Sequence, residues 1–78
     1  MPDDIYAREL RKRVAANIKR LRIDRGWAQE TLGEHAGLSQ VYLSRVENGR
    51  AACSVDTLAS IARAFGVDPT VLVAAHSG

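Results

Sequence analysis

The sequence has few of the residues that cross-link, stiffen or anchor a small protein. It contains one cysteine, Cys53, and two prolines in 78 residues, so no internal disulfide can form, and no CxxC or Cys/His ligand spacing is present. The longest apolar run, 71–75, is far shorter than the ~20 residues of a membrane-spanning helix. The first residues, Met-Pro-Asp-Asp, lack the basic start and apolar stretch of a signal peptide. We therefore expect a cytoplasmic protein with no membrane segment, metal or other cofactor.

What remains is the composition of one small folded domain. Apolar residues make up 46% and charged residues 26% of the chain, which is typical of a globular protein. We expect a single domain over 1–78 with an ordered core at about 6–75. A chain of this length buries only about 60% of the surface that its unfolded form exposes, so self-association would add useful stability.

Charge is distributed unevenly along the chain. The formal net charge is +2, but residues 1–26 carry +4, whereas 27–50 and 51–78 each carry −1. A basic first third is compatible with a surface that faces phosphate groups. The alternative, which charge alone favours, is an ordinary solvated helix face.

The apolar spacing is helical almost throughout, with no long alternation of period two. The first predicted helix covers about 6–25 and ends at Gly26. Its apolar residues recur at intervals of four, four and three: Leu10, Val14, Ile18 and Leu21. This spacing places them on one face of the helix.

Caps and glycines divide the rest of the chain into four shorter helices. The second is predicted at 29–36 and the third at 40–48, with glycines following both. Ser54 is the expected N-cap of a fourth helix that Gly66 ends, and Asp68-Pro69 is a strong start signal for a short fifth helix. The predicted fold is all-α, a compact bundle of five helices.

Residues 29–46 carry the most specific pattern. Gly33 lies where a second helix must pass at close range, and Gly37 lies at the turn between the two helices. Apolar residues occupy the positions that fix a steep crossing angle: Leu32, Ala36, Leu43 and Val46. The complete set favours a helix-turn-helix over a plain αα-hairpin.

The segment from Gln29 to Gly49, QETLGEHAGLSQVYLSRVENG, resembles the lambda-repressor-like (Cro/repressor, XRE-type) DNA-binding domains. The resemblance covers about Leu10 to Leu72, and the chain is similar in size to restriction–modification controller proteins and small phage repressors. It implies a sequence-specific transcriptional regulator whose partner is double-stranded DNA. Three positions depart from the family pattern: Ala28 lacks the usual capping hydroxyl, Gly33 replaces alanine, and Cys53 replaces proline.

The resemblance also implies roles for individual residues on 40–48, the recognition helix that would enter the major groove. Side chains expected to read bases are Gln40, Val41, Ser44 and Arg45. Side chains expected to hold the DNA backbone are Gln29, Tyr42, Asn48 and Arg50. A buried ion pair is implied between Arg22 and Glu47. The alternatives are an ordinary surface arginine at 45, a tyrosine ring that merely packs at 42, and two unrelated charges at 22 and 47.

A helix-turn-helix reads only a few base pairs, so we expect a homodimer on a palindromic operator with half-sites about 34 Å apart. The surplus apolar residues of the last helix are the expected interface: Val71, Leu72, Val73 and Ala75. The alternative is that these residues only close the monomer core.

Two other function classes are the alternatives. The first is a protein-interaction module, such as an antitoxin-like partner, with secondary DNA binding. The second is an enzyme that uses Cys53 with His35 or His76, and it is disfavoured because no third group orients such a pair. We therefore expect no catalysis, and we see no sign of a small-molecule ligand.

Overall fold

The computed structural model describes residues 4–75, and within them it contains five α-helices and no strand. The all-α, five-helix prediction is confirmed. The helices are α1 (Ile5–Asp24), α2 (Gln29–Ala36), α3 (Gln40–Glu47), α4 (Val55–Phe65) and α5 (Thr70–Val73). The tail that includes His76 lies outside the described residues. In the part of the chain that is described, no helix is both long and apolar enough to cross a bilayer.

Side-chain N-caps start α3 and α4, and a further side-chain bond lies one residue before Pro69, the N-cap of α5. Ser39 Oγ accepts from the Tyr42 N–H at 3.1 Å, and Ser54 Oγ accepts from the Thr57 N–H at 3.0 Å. The Asp68 carboxylate accepts from the Thr70 N–H at 2.9 Å. Ala28 precedes α2 and makes no such bond, because its side chain has no hydrogen-bonding atom. Local capping chemistry therefore explains where these elements begin.

Each helix contributes one completely buried apolar side chain to a single core. These residues are Ile18, Leu32, Leu43, Ile61 and Leu72. Leu72 is thus a core residue of its own protomer, with no surface left for a second chain. The predicted interface must therefore be corrected at this position, because α5 packs this side chain inward against α1.

The first turns of α1 extend past the core. Leu10 was expected on the inner face with Val14 and Ile18, but its side chain is 45% exposed. The periodicity correctly predicts the face of the helix, but it cannot predict how far along that face the neighbouring helices reach. Leu10 instead lines an apolar groove with Leu58 and Val73.

The buried side-chain amide of Asn17 links α1 to the segment around α5. Asn17 donates from Nδ2 to the carbonyl oxygens of Leu72 and Ala74, both at 2.9 Å. Its own Oδ1 accepts from Arg20 at 3.3 Å, so every polar atom of the buried side chain has a partner. These bonds hold α5 and the residue after it against α1.

Candidate nucleic-acid interface

The turn between α2 and α3 closes on Gly33. A Cβ at this position would collide with the carbonyl oxygen of Leu38, while the Leu38 N–H donates to the Gly33 carbonyl at 2.9 Å. Gly37 follows with φ of 70°, in the left-handed region that glycine tolerates. The chain after α2 therefore passes directly against Gly33, and α3 is held by its buried inner face.

The opposite face of α3 is open to solvent. Gln40, Val41 and Arg45 are exposed and Ser44 is half-buried. Val41, the second residue of α3, is 69% exposed, whereas valines are usually buried. The Arg45 side chain has no hydrogen-bond or ion-pair partner among residues 4–75. The four residues predicted to read bases thus share one accessible surface.

A buried ion pair supports this surface from behind. Arg22 donates to Glu47 through Nε at 2.8 Å and through a terminal nitrogen at 3.0 Å. The Glu47 side chain is 3% exposed and that of Arg22 is 14% exposed. Arg22 also donates to the Trp27 carbonyl at 2.7 Å. The bidentate geometry fixes the end of α3 against α1, and the bond to Trp27 ties the loop between α1 and α2 to the same arginine.

Two glutamine amides continue this network to the surface. Gln29 Nε2 donates to Glu47 at 3.3 Å, and Gln40 Nε2 donates to Gln29 Oε1 at 2.9 Å. Gln40 keeps one amide hydrogen and its carbonyl oxygen for another partner. An adenine edge needs one donor and one acceptor, so this amide remains chemically suited to it while its position is restricted.

The residues predicted to hold the backbone differ in availability. Asn48 and Arg50 are exposed at the carboxyl end of α3. Tyr42 is half-buried against the core, and its hydroxyl donates to the Ala52 carbonyl at 2.9 Å. This bond anchors the loop after α3 to the tyrosine side chain.

An aromatic cluster fixes the loop before α2. Trp27 is stacked between His35, with ring centroids 4.6 Å apart, and Phe65, at 5.7 Å. Arg25 lies over the Phe65 ring at 4.9 Å and donates to the Phe65 carbonyl at 2.6 Å. No local signal marks Arg25 for this contact, because its partner is forty positions away in the sequence.

The described residues do not assemble a catalytic pair. Cys53 is half-buried, and burial raises the pKa of its thiol more than a hydrogen bond with Tyr42 lowers it. A raised pKa favours the protonated thiol, which is the opposite of an activated nucleophile. The one histidine among residues 4–75, His35, is stacked on Trp27.

Comparisons with known proteins agree with this geometry. Residues 18–72 match the helix-turn-helix family HTH_3. The chain is 43% identical over 65 residues to the uncharacterized HTH-type transcriptional regulator y4dJ of Sinorhizobium fredii, covering 83% of this chain and 84% of that protein.

Solved structures share the fold. The restriction–modification controller protein C.AhdI from Aeromonas hydrophila superposes with a TM-score of 0.77 at 29% identity, covering 80% of this chain and 94% of that one. The hypothetical transcription factor NHTF from Neisseria gives a TM-score of 0.80 at 34% identity, covering 83% of this chain and 73% of that one. The chain therefore belongs to the HTH_3 (XRE-type) helix-turn-helix family of DNA-binding transcriptional regulators, which are not enzymes.

Proposed function

We propose that the protein binds a palindromic DNA operator as a homodimer, with α3 of each protomer in the major groove. The observation that carries this proposal is the open face of α3, where Arg45 is unpartnered within residues 4–75 and Gln40 is held by Gln29. Rigid support of the reading side chains is what specific recognition requires. Because the partner is genomic DNA, we propose that the protein acts in the cytoplasm.

We assign base reading to the open face and backbone contacts to its two ends. Arg45 is suited to guanine O6 and N7, Gln40 to adenine, and Val41 to a thymine methyl group. Ser44 lies beside them and is suited to a base or a phosphate. Gln29 at one end and Asn48 with Arg50 at the other are assigned to phosphates. Tyr42 serves indirectly, because its bond to Ala52 holds the loop that carries Arg50.

The homodimer proposal is supported by an apolar surface away from the open face of α3. Three neighbouring grooves form it continuously, because they share Leu10, Leu58 and Val73. Tyr6 is 85% exposed and Val55 is 81% exposed at its two ends. A contiguous apolar patch of this kind marks an interaction site on a small domain. We propose that Val73 lies within this interface and that Val71 and Ala75 lie at its margin, without Leu72.

Sequence selection tests the DNA-binding part of the proposal. Duplexes retained from a random library by the purified protein should contain a two-fold symmetric motif, and a Gln40→Ala/Arg45→Ala variant should lose it. Arg63→Ala, which removes an exposed charge on α4, is the control and should retain the same motif. Equal retention of all sequences by the wild-type protein and the double variant would refute specific readout by these residues.

Two exposed valines test the oligomeric state separately. Val55→Glu should convert the dimer to a monomer in sedimentation velocity, because it places a charge in the apolar surface. Val41→Glu should leave the dimer intact but abolish DNA binding, because it would place a carboxylate against the bases in the negatively charged major groove. A Val55→Glu protein that sediments like the wild type would exclude this interface. A wild-type monomer would instead favour the interaction-module alternative, with a different chain on the apolar surface.

A further inference from the structure

The first helix contributes a basic groove that none of the roles above uses. Lys12 and Lys19 of α1 face the end of α3 across an open groove. We call this the lysine groove; its lining residues are Lys12, Ala15, Ala16, Lys19, Glu47, Asn48 and Gly49. These two lysines are the only ones in the chain, since the other nine basic residues are arginines.

The backbone geometry brings both ammonium groups to the same side of α1. Seven residues separate the two lysines, which is nearly two helical turns and an axial rise of about 10.5 Å. Between them the groove is floored by alanine methyl groups, so no larger side chain blocks access. Lys12 passes close to Gly49, with its Cγ 4.0 Å from where a Cβ on that glycine would lie.

The groove is positively charged where it meets solvent. Its one acidic lining residue is Glu47, whose carboxylate is 3% exposed and already bound in two places by Arg22. Lys12 and Lys19 are exposed, and neither has a hydrogen-bond or ion-pair partner within residues 4–75. The two charges are therefore uncompensated locally and available to an anionic ligand.

We propose that the lysine groove binds the sugar–phosphate backbone of DNA beyond the base pairs read by α3. This inference rests on the proposed function, in which Asn48 contacts a DNA phosphate. Asn48 also lines the lysine groove, so the groove lies next to that phosphate. A backbone held at Asn48 continues past the end of α3 toward α1, where a lysine ammonium meets it as a point charge. The contact carries no sequence information, so it lengthens the footprint without changing the motif.

The salt dependence of binding tests this proposal. Dissociation constants are measured by fluorescence anisotropy between 50 and 200 mM salt for Lys12→Gln, Lys19→Gln and the double variant, on the selected operator and on a scrambled duplex. Each lysine that meets a phosphate should remove about 0.9 from the slope of log K against log salt. Raising the salt from 50 to 200 mM weakens the binding of both proteins, and the factor by which it does so should be about 12-fold smaller for the double variant than for the wild type. The same difference is expected on both duplexes.

Arg63→Gln is the matched control, because it removes one exposed positive charge from α4, outside the groove. Far-ultraviolet circular dichroism establishes that each variant is folded before binding is measured. A slope change in the double variant no larger than that of Arg63→Gln would overturn the lysine groove while leaving the proposed function intact. A wild-type protein with no salt-dependent binding would overturn both, so the two failures are distinguishable.

Discussion

The ion pair between Arg22 and Glu47 makes an asymmetric prediction, because its two partners are buried to different degrees. Arg22→Met would leave the Glu47 carboxylate, 3% exposed, with a single hydrogen bond from Gln29 at 3.3 Å. Glu47→Leu would leave the Arg22 guanidinium, 14% exposed, with its bond to the Trp27 carbonyl at 2.7 Å. The charge that is left alone is therefore more deeply buried and less well compensated in Arg22→Met.

The expected losses follow from this difference. Removing one partner of a buried pair costs about 3–5 kcal/mol of unfolding free energy. We expect Arg22→Met near the upper end, at about 4–5 kcal/mol, and Glu47→Leu at about 2–3 kcal/mol because water and Trp27 still solvate the guanidinium. The double variant should cost less than Arg22→Met alone, because it contains neither unpaired charge and loses mainly one hydrogen bond to Trp27, about 1–2 kcal/mol.

Urea unfolding provides the assay, with the fluorescence of Trp27 and far-ultraviolet circular dichroism as independent probes. Protein concentration is held constant, since dimerisation would couple to unfolding. An Arg22→Met chain that is already unfolded in buffer, while Glu47→Leu still shows a transition, satisfies the predicted order. A Glu47→Leu variant less stable than Arg22→Met would contradict the predicted order, and so would a double variant that loses the sum of the two single losses.

Three further predictions concern the framework around the site. Gly33→Ala should lower the unfolding free energy by about 1–3 kcal/mol, because the new Cβ meets the Leu38 carbonyl oxygen; a rise in melting temperature would mean that helix propensity outweighs the close approach. Ala28→Ser should stabilise the protein by about 1 kcal/mol by supplying the missing cap of α2, and an unchanged melting temperature would contradict this. Because burial raises the pKa of the Cys53 thiol, its alkylation rate should rise with pH at a higher pH than that of an unstructured cysteine peptide; coincident pH profiles would refute this.

Much of the helix-turn-helix can be read from the sequence, because the signals that define it are local. Ser39 and Gly37 set the turn through capping and a left-handed backbone, and both effects depend on neighbouring residues only. The 3.6-residue period then separates the inward residues of α3 from Gln40, Val41 and Arg45. The same logic explains why α2 has the bounds that were predicted.

Contacts between distant segments could not be read in this way. Asn17 lies on the inner face of α1, three residues after Val14, so the period alone places it inside. The hydrogen-bond acceptors of its buried amide are two carbonyl groups that lie 55 and 57 positions further along the chain, and no local rule predicts them. Nor does any local rule predict that Tyr42 commits its hydroxyl to Ala52.

Local signals along the chain are enough to predict the number and order of the helices, the turn and the residues on the open face of α3. These features depend on capping, glycine conformation and apolar periodicity, which act over a few residues. The complete burial of Leu72 and the 45% exposure of Leu10 arise instead from tertiary packing, although both residues were expected to occupy apolar faces. Burial is a property of how far the neighbouring helices extend and where they cross, and that is settled only when all five pack around one core.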